Sequence, residues 1–284
     1  MGSDGMKNRH KNILGKILFF TGVALVIFFM FFPFYWLFIS SLKGDQELYK
    51  MPPNWLAQKP LWNNYIKIFT EHNIGRNLLN SLMVSTITTL VSLAIGSSAA
   101  YALAKFKMRG KNFVLSLILS VSMFPGIVIV SPLYILFQQM GIINSFASLI
   151  LPYLTFSLPL TIWTLHSFFQ QIPDELVEAA SIDGASPFKT FIKIITPLAA
   201  PGVFTAAILT FIGAWNELLF AKIFITDSKK FTVPVSLILF QGQYDSAWNL
   251  IAASSVVITL PLIIMVLLLQ KYIIAGLTAG AVKD

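Results

Sequence analysis

Cysteine is absent from this 284-residue sequence. That excludes a disulfide framework, a thiolate metal site and a cysteine nucleophile. Charge is scarce too: Asp, Glu, Lys and Arg make up 11% of the chain, against roughly 25% in soluble domains. The shortage is concentrated. Neither Asn77 to Ala104 nor Asn112 to Pro173 contains a single Asp, Glu, Lys or Arg. Runs of that length, in a chain 56% hydrophobic with a mean hydropathy of +0.75, indicate an integral membrane protein. The sequence also lacks HExxH, GxSxG and paired intramembrane aspartates. It has no GxxxxGK[ST] phosphate loop, so ATP is not bound by this chain in the usual way. A secondary, ion-coupled solute transporter is the alternative reading, but such carriers place ionisable groups at mid-membrane. Here only Glu217 is a candidate.

The net charge is +8. Its basic residues flank the apolar runs, which suits membrane topology better than a nucleic-acid face. Residues 1–16 form a basic, polar segment, and Ile17 to Ile39 reads as a first membrane helix rather than a signal peptide. Residues 17–76 comprise that helix and an outer connector. Asn77 to Ala104 is the second crossing, closed by the basic cluster Lys105, Lys107, Arg109 and Lys111. The long run that follows contains two crossings joined near Gly141 and Asn144. The first of them holds Pro125-Gly126 and Ser131-Pro132, so it is expected to be broken or strongly kinked, and Pro152 and Pro159 bend the second. Pro201 to Ala221 and Trp248 to Gln270 complete six transmembrane helices. Glu217 in the fifth is expected to touch substrate, to pair with Lys222 or to sit at the interface. His166 reads as an interfacial residue.

Charge returns abruptly at Asp174. The stretch from Asp174 to Pro197 reads as two short helices joined by a tight bend. Asp174 and Glu175 suit a helix N-terminus. Gly184 suits the left-handed position that ends a helix. Ser186-Pro187 reads as an N-cap with Pro at the first helical position. The second helix should run from Pro187 towards Ile195 and stop at Pro197.

Glu178, Ala179 and Ala180, then Gly184 after three residues, then Ile194 and Pro197 after nine more, resemble the EAA motif of the membrane subunits of bacterial ABC importers. Thr196 stands where that pattern usually has Leu. The tail from Gly276 to Lys283, with Ala214-Trp215-Asn216-Glu217, resembles the carbohydrate branch, in particular the second permease of maltose- and trehalose-type systems. The resemblance implies an all-α, type I ABC importer permease fold in the cell membrane, with both termini cytoplasmic. It implies a permease core over residues 77–275, a cytoplasmic EAA coupling loop over 169–200 and a cytoplasmic tail over 276–284.

The partners implied are a second permease, two ATPase subunits carrying ATP and Mg, an extracellular solute-binding protein and a sugar. No cofactor or metal is expected in this chain itself. Glu178, Ala179, Ala180, Asp183 and Gly184 would couple to an ATPase. Gly276, Ala279 and Gly280 would enter the ATPase interface. Gln241, Gln243 and Tyr244 would touch the binding protein. Asn80, Trp163, Trp215, Asn216 and Glu217 are the candidates for the substrate path.

Overall fold

The computed structural model describes residues 3–240 and 247–279, and the regular structure among those residues is all helical. In chain order the helices are α1 (Ser3–Ser41), α2 (Asp45–Leu48), α3 (Asn63–Thr70), α4 (Ile74–Lys105), α5 (Lys111–Ser122), α6 (Gly126–Gln139) and α7 (Ala147–Gln170). They continue with α8 (Asp174–Ile182), α9 (Pro187–Thr190), a π turn at Phe191–Ile195, α10 (Thr196–Leu198) and α11 (Ala200–Trp215). Then come α12 (Leu219–Phe224), a 3₁₀ turn at Ser228–Lys230, α13 (Val233–Ile238) and α14 (Trp248–Ala279). Four helices are individually long and apolar enough to cross a membrane, within α1, α4, α7 and α14. Two bent pairs bring the number to six: α5 with α6, turned by 85°, and Pro187–Leu198 with α11, turned by 82°.

The first bend falls where the sequence places it. Pro125 cannot donate an amide and disfavours helical geometry at Phe124, so α5 ends and α6 restarts at Gly126. By contrast, Pro152 and Pro159 both lie inside the single helix α7. The fifth crossing is shorter than Pro201 to Ala221. It ends at Trp215, and α12 begins after three intervening residues. The outer connector and the loop after Asp227 are also more ordered than their composition suggests, holding α2 and α3 in the one case and α13 in the other.

The chain divides into two units. The first is Met1–Glu71 with Phe240–Val257. In it, the Asn64 side chain donates to the Ser41 carbonyl at 2.8 Å, and Ser41 shares a 2.7 Å hydrogen bond with Tyr65. The buried Lys43 ammonium donates to the Asn54 carbonyl and lies 4.5 Å from the Trp36 ring centroid. The connector after α1 is thereby folded back onto the end of that helix.

The second unit is His72–Leu239 with Ile258–Asp284. Its centre is the packing of α4, α7 and α11. Helices in lipid associate through close packing and interhelical hydrogen bonds rather than through hydrophobic burial, and this seam follows that rule. Ser92 and Ser157 share a 2.6 Å hydrogen bond, and Thr161 and Thr210 share one of 3.0 Å. Gly96 lets α4 approach Thr161 so closely that a Cβ there would lie 2.7 Å from the Thr161 methyl.

Tertiary bonds also sort the ends of this bundle. Asn80, near the start of α4, donates to the Lys229 and Phe231 carbonyls. Asn144, between α6 and α7, accepts from the Thr226 and Asp227 amides. The far end of α4 instead meets the start of α8 through Lys105. The polar loop after α7 therefore shares an end with the Lys105–Lys111 cluster, opposite the loop after α12.

Candidate functional site

The polar loop is built as two short helices, with its corner formed by hydrogen bonds that the sequence anticipates. Gly184 has φ +75°, a conformation that costs an L-residue roughly 1–2 kcal/mol. The Gly184 amide donates to the Ser181 carbonyl at 3.1 Å and the Ala185 amide to the Ala180 carbonyl at 2.9 Å. These are the paired bonds of a Schellman C-terminus, which satisfy carbonyls left over at the end of α8. Ser186 then caps α9, its hydroxyl accepting from the Lys189 amide, and Pro187 follows. Nothing lies within 4 Å of where a Gly184 Cβ would be. Glycine is required there by the backbone, not by crowding.

The second half of the loop departs from expectation, because Pro197 does not end the helix. The backbone widens into the π turn before it, and the break comes at Ala199. Both the amide and the hydroxyl of Thr196 go to the Phe191 carbonyl, the hydroxyl at 2.8 Å. The widened turn accommodates the proline ring, and Pro197 enters the first turn of α10, where its missing N–H costs nothing. Thr196, which stands where the motif usually has Leu, thus holds the turn together. Phe191 and Ile195 point into the core formed with Tyr101, Leu165 and Phe169.

The outward side of the loop is open. Glu178, Ala179 and Asp183 are exposed, and Ala180 is buried. Beside the exposed acids stand large apolar residues: Ile182 is 87% exposed and Phe188 is 70% exposed. Exposed apolar groups of this size suit an interaction surface, for protein or for membrane.

The inward side has an anchor that the sequence reading did not identify. Lys105, treated there as a topology marker, has a side chain only 2% exposed. Its ammonium donates to the Ile172 carbonyl and to the Asp174 carboxylate, the latter at 2.6 Å. The bond and charge of Lys105 hold the Asp174 carboxyl below the usual range, with Lys111 and Lys107 adding to the effect. Spacing alone could not have paired residues 105 and 174.

A second feature is a cavity of about 360 Å³ lined by Tyr153, Ser157, Thr210 and Glu217 on its polar side and by Phe156 and Phe220 among its apolar walls. The volume lies in the range of roughly 300–1,000 Å³ typical of small-molecule sites. The cavity adjoins the α5–α6 break and the interruption between α11 and α12, since Phe124 and Leu219 also line it. Broken helices at membrane depth are tolerated where they line a cavity. The Glu217 carboxylate accepts from the amides of Phe220 at 3.0 Å and Ala221 at 3.3 Å. No Glu217–Lys222 ion pair occurs among the described residues. The expected pairing is replaced by capping of α12.

Of the other substrate-path candidates, Asn80 holds the loop after α12, as described above, and Trp215 is buried against Phe211 and Val233. The Asn216 amide donates to the Ile212 carbonyl, and Trp163 lies exposed on α7. None of these four lines the cavity, whereas Glu217 does. Tyr153, Ser157 and Thr210 were not singled out from the sequence because isolated hydroxyls in an apolar run carry no pattern. Gln241, Gln243, Tyr244 and Gly280 lie outside the described residues. Gly276 and Ala279 continue α14, which runs past Lys271 to Ala279, so the segment expected as a separate tail begins as helix.

Comparison with known proteins agrees with this architecture. Residues 92–278 match the family of binding-protein-dependent transport system inner membrane components. The chain is 40% identical over 276 residues to the trehalose/maltose transport system permease protein MalG of Thermococcus litoralis, covering 96% of this chain and 99% of that one. It is 41% identical over 264 residues to the trehalose transport system permease protein SugB of Mycobacterium tuberculosis, covering 92% and 95%. It is 38% identical to the sulfoquinovosyl glycerol transport system permease protein SmoH of Agrobacterium fabrum, covering 95% and 94%. Among solved structures, a bacterial ABC transporter that imports the acidic polysaccharide alginate superposes with a TM-score of 0.76 at 20% identity, covering 94% of this chain and 98% of that one. By its sequence, and with a fold to match, the chain belongs to the family of binding-protein-dependent transport system inner membrane components.

Proposed function

We propose that the chain is the permease subunit of an ATP-driven, solute-binding-protein-dependent sugar importer, working beside a second permease and two ATPase subunits that carry ATP and Mg. The observation that carries the reading is the exposed, bent α8–α9 loop. It offers Glu178 and Asp183 next to Ile182 and Phe188, and it is anchored from beneath by Lys105. In this reading the loop is cytoplasmic and seats in an ATPase cleft through Glu178, Ala179, Ala180, Asp183 and Gly184. The amino terminus and the end of α14 then lie on the same side.

The sugar class rests on the relatives, whose names specify trehalose, maltose and sulfoquinovosyl glycerol. A neutral disaccharide or oligosaccharide needs hydrogen-bonding side chains and aromatic faces, and the cavity supplies both, with Tyr153, Ser157 and Thr210 beside Phe156 and Phe220. Asn80, Trp163, Trp215 and Asn216 serve the same path by shaping the helices and loop around it. Gln241, Gln243 and Tyr244 meet the binding protein, and Gly276, Ala279 and Gly280 enter the ATPase interface.

Glu178→Lys tests the central assignment. The variant should insert into the membrane yet lose ATPase association or binding-protein-stimulated ATP hydrolysis in the assembled complex. Normal stimulated hydrolysis in that variant refutes the docking role. For the two remaining surfaces, single cysteines at Gln243 and Ala279 in this cysteine-free chain should crosslink to the binding protein and to the ATPase respectively. A site that gives no crosslink loses its assignment.

A further inference from the structure

The loop is held to the bundle by α7, through Leu165 and Phe169, and also by α4, which is not its neighbour in sequence. Tyr101 and Lys105 stand one turn apart on α4 and so face the same way. Tyr101 stacks on Phe191 of the π turn, with ring centroids 5.1 Å apart. Lys105 holds the other end of the loop, at Ile172 and Asp174. These two contacts of the ammonium straddle Pro173, the residue joining the α7 side to α8. Pro173 carries no amide hydrogen, and α8 has no side-chain cap. The Lys105 side chain is buried beneath the loop, while the Asp174 carboxylate it meets is exposed.

The same helix reaches the cavity. Ser92 of α4 shares its hydrogen bond with Ser157, which lines the cavity. Gly96 rests on Thr161, whose hydroxyl bonds Thr210, another lining residue. Ser92 lies thirteen residues before Lys105 on α4, or about 20 Å at the helical rise of 1.5 Å per residue. A helix of this length transmits displacement along its axis when both ends are gripped.

We infer that Lys105 is a positioning residue for transport: it makes α4 follow the movement of α8, so that α4 acts as the rod joining the ATPase-docking loop to the cavity. The inference rests on the importer reading above. It differs from a route through α7 alone, to which α8 is joined by the short linker over 171–173 and by the packing of Val177 against the core that holds Leu165 and Phe169. The rival account is that Lys105 is a structural staple whose loss weakens the fold without touching the link between the two sites.

The test uses the whole complex in proteoliposomes with Ala214→Cys as reporter. Ala214 lines the cavity, and the chain has no other cysteine. The labelling rate at residue 214 by a maleimide is measured with and without ATP and vanadate, alongside ATP hydrolysis. Without a second substitution, ATP should change the labelling rate. In Lys105→Met hydrolysis should persist while the ATP-dependent change in labelling shrinks, on the order of 2- to 30-fold, as expected for loss of one coupling contact. Lys105→Arg should restore it.

Equal proportional losses of hydrolysis and labelling response in Lys105→Met mean a staple and overturn the inference, as does an unchanged response. Should Lys105→Met fail to assemble, Asp174→Asn replaces it, because that variant keeps Lys105 on the Ile172 carbonyl. A smaller loss of response in the same direction is expected, and none overturns the inference. Glu178→Lys, run in parallel, separates the two levels. If it hydrolyses ATP and responds normally, the docking role of the loop, on which the rod rests, fails. If it is uncoupled while Lys105→Met is not, only the rod fails.

Discussion

Gly202 provides the sharpest check on how the fifth crossing is seated. It lies in the first turn of α11, just after the 82° bend, and it is buried. A Cβ built there would sit 2.3 Å from Phe168 Cγ, 2.5 Å from Cδ2 and 2.8 Å from Cβ. These atoms form the root of the Phe168 side chain, so a ring flip does not relieve the clash, and the α7 and α11 backbones must separate. The first contact falls about 1.1 Å short of the 3.4 Å at which ordinary van der Waals contact begins. Forcing a methyl group into a packed interior costs about 1–3 kcal/mol, and more when backbone must move. The offsetting gain from replacing Gly by Ala within a helix is roughly 1 kcal/mol. Gly202→Ala should therefore be net destabilising, and Gly202→Val more so.

The assay is the thermal stability of the purified subunit in detergent, with Gly213→Ala as the control, since nothing lies within 4 Å of a Cβ at residue 213. At about 2–4 °C per kcal/mol for 150–250 residues, Gly202→Ala should melt several degrees below wild type, and Gly213→Ala should not. If the two alanine variants melt alike, α7 and α11 are not in the contact described, and the bend at Ala199 to Pro201 is wrongly placed.

Gly184→Val should weaken assembly with the ATPase more than Gly184→Asn, because Asn tolerates the left-handed conformation and a β-branched residue does not. Equal binding of the two variants in a pull-down would contradict the Schellman corner. The Asp174 carboxyl is depressed below its ordinary value of 3.8, mainly by its bond to Lys105. A depressed carboxylate contributes stability that is fully present above that ordinary value and is lost as pH falls through the depressed one. The melting difference between wild type and Asp174→Asn should therefore be flat from neutral pH down to about the ordinary carboxylate range and close only in more acid solution. A difference that closes near neutrality would rule out the Lys105 contact as its source.

Much about this protein was determined by sequence alone, because the signals involved are local or compositional. Uncharged runs of membrane length identify spanning segments whatever their neighbours, since no partner makes ionised groups cheap in hydrocarbon. The break at Pro125 and the corner at Gly184 and Ser186 follow from backbone chemistry within a few residues, and they occur where the sequence places them. The EAA spacing pointed to the family that the comparisons then established. Tertiary structure decided what depends on residues far apart in the chain. Pro197 fails to end its helix because a π turn, closed by Thr196 on Phe191, absorbs it. Glu217 takes the amides of α12 rather than Lys222. The cavity collects hydroxyls from α7 and α11 that show no common pattern along the chain. Lys105 meets Asp174 across 69 residues, because the packing of α4 against α7 brings their ends to the same side of the bundle. A basic residue after an apolar run announces a membrane boundary, but only the packed helices determine which carboxylate it meets there.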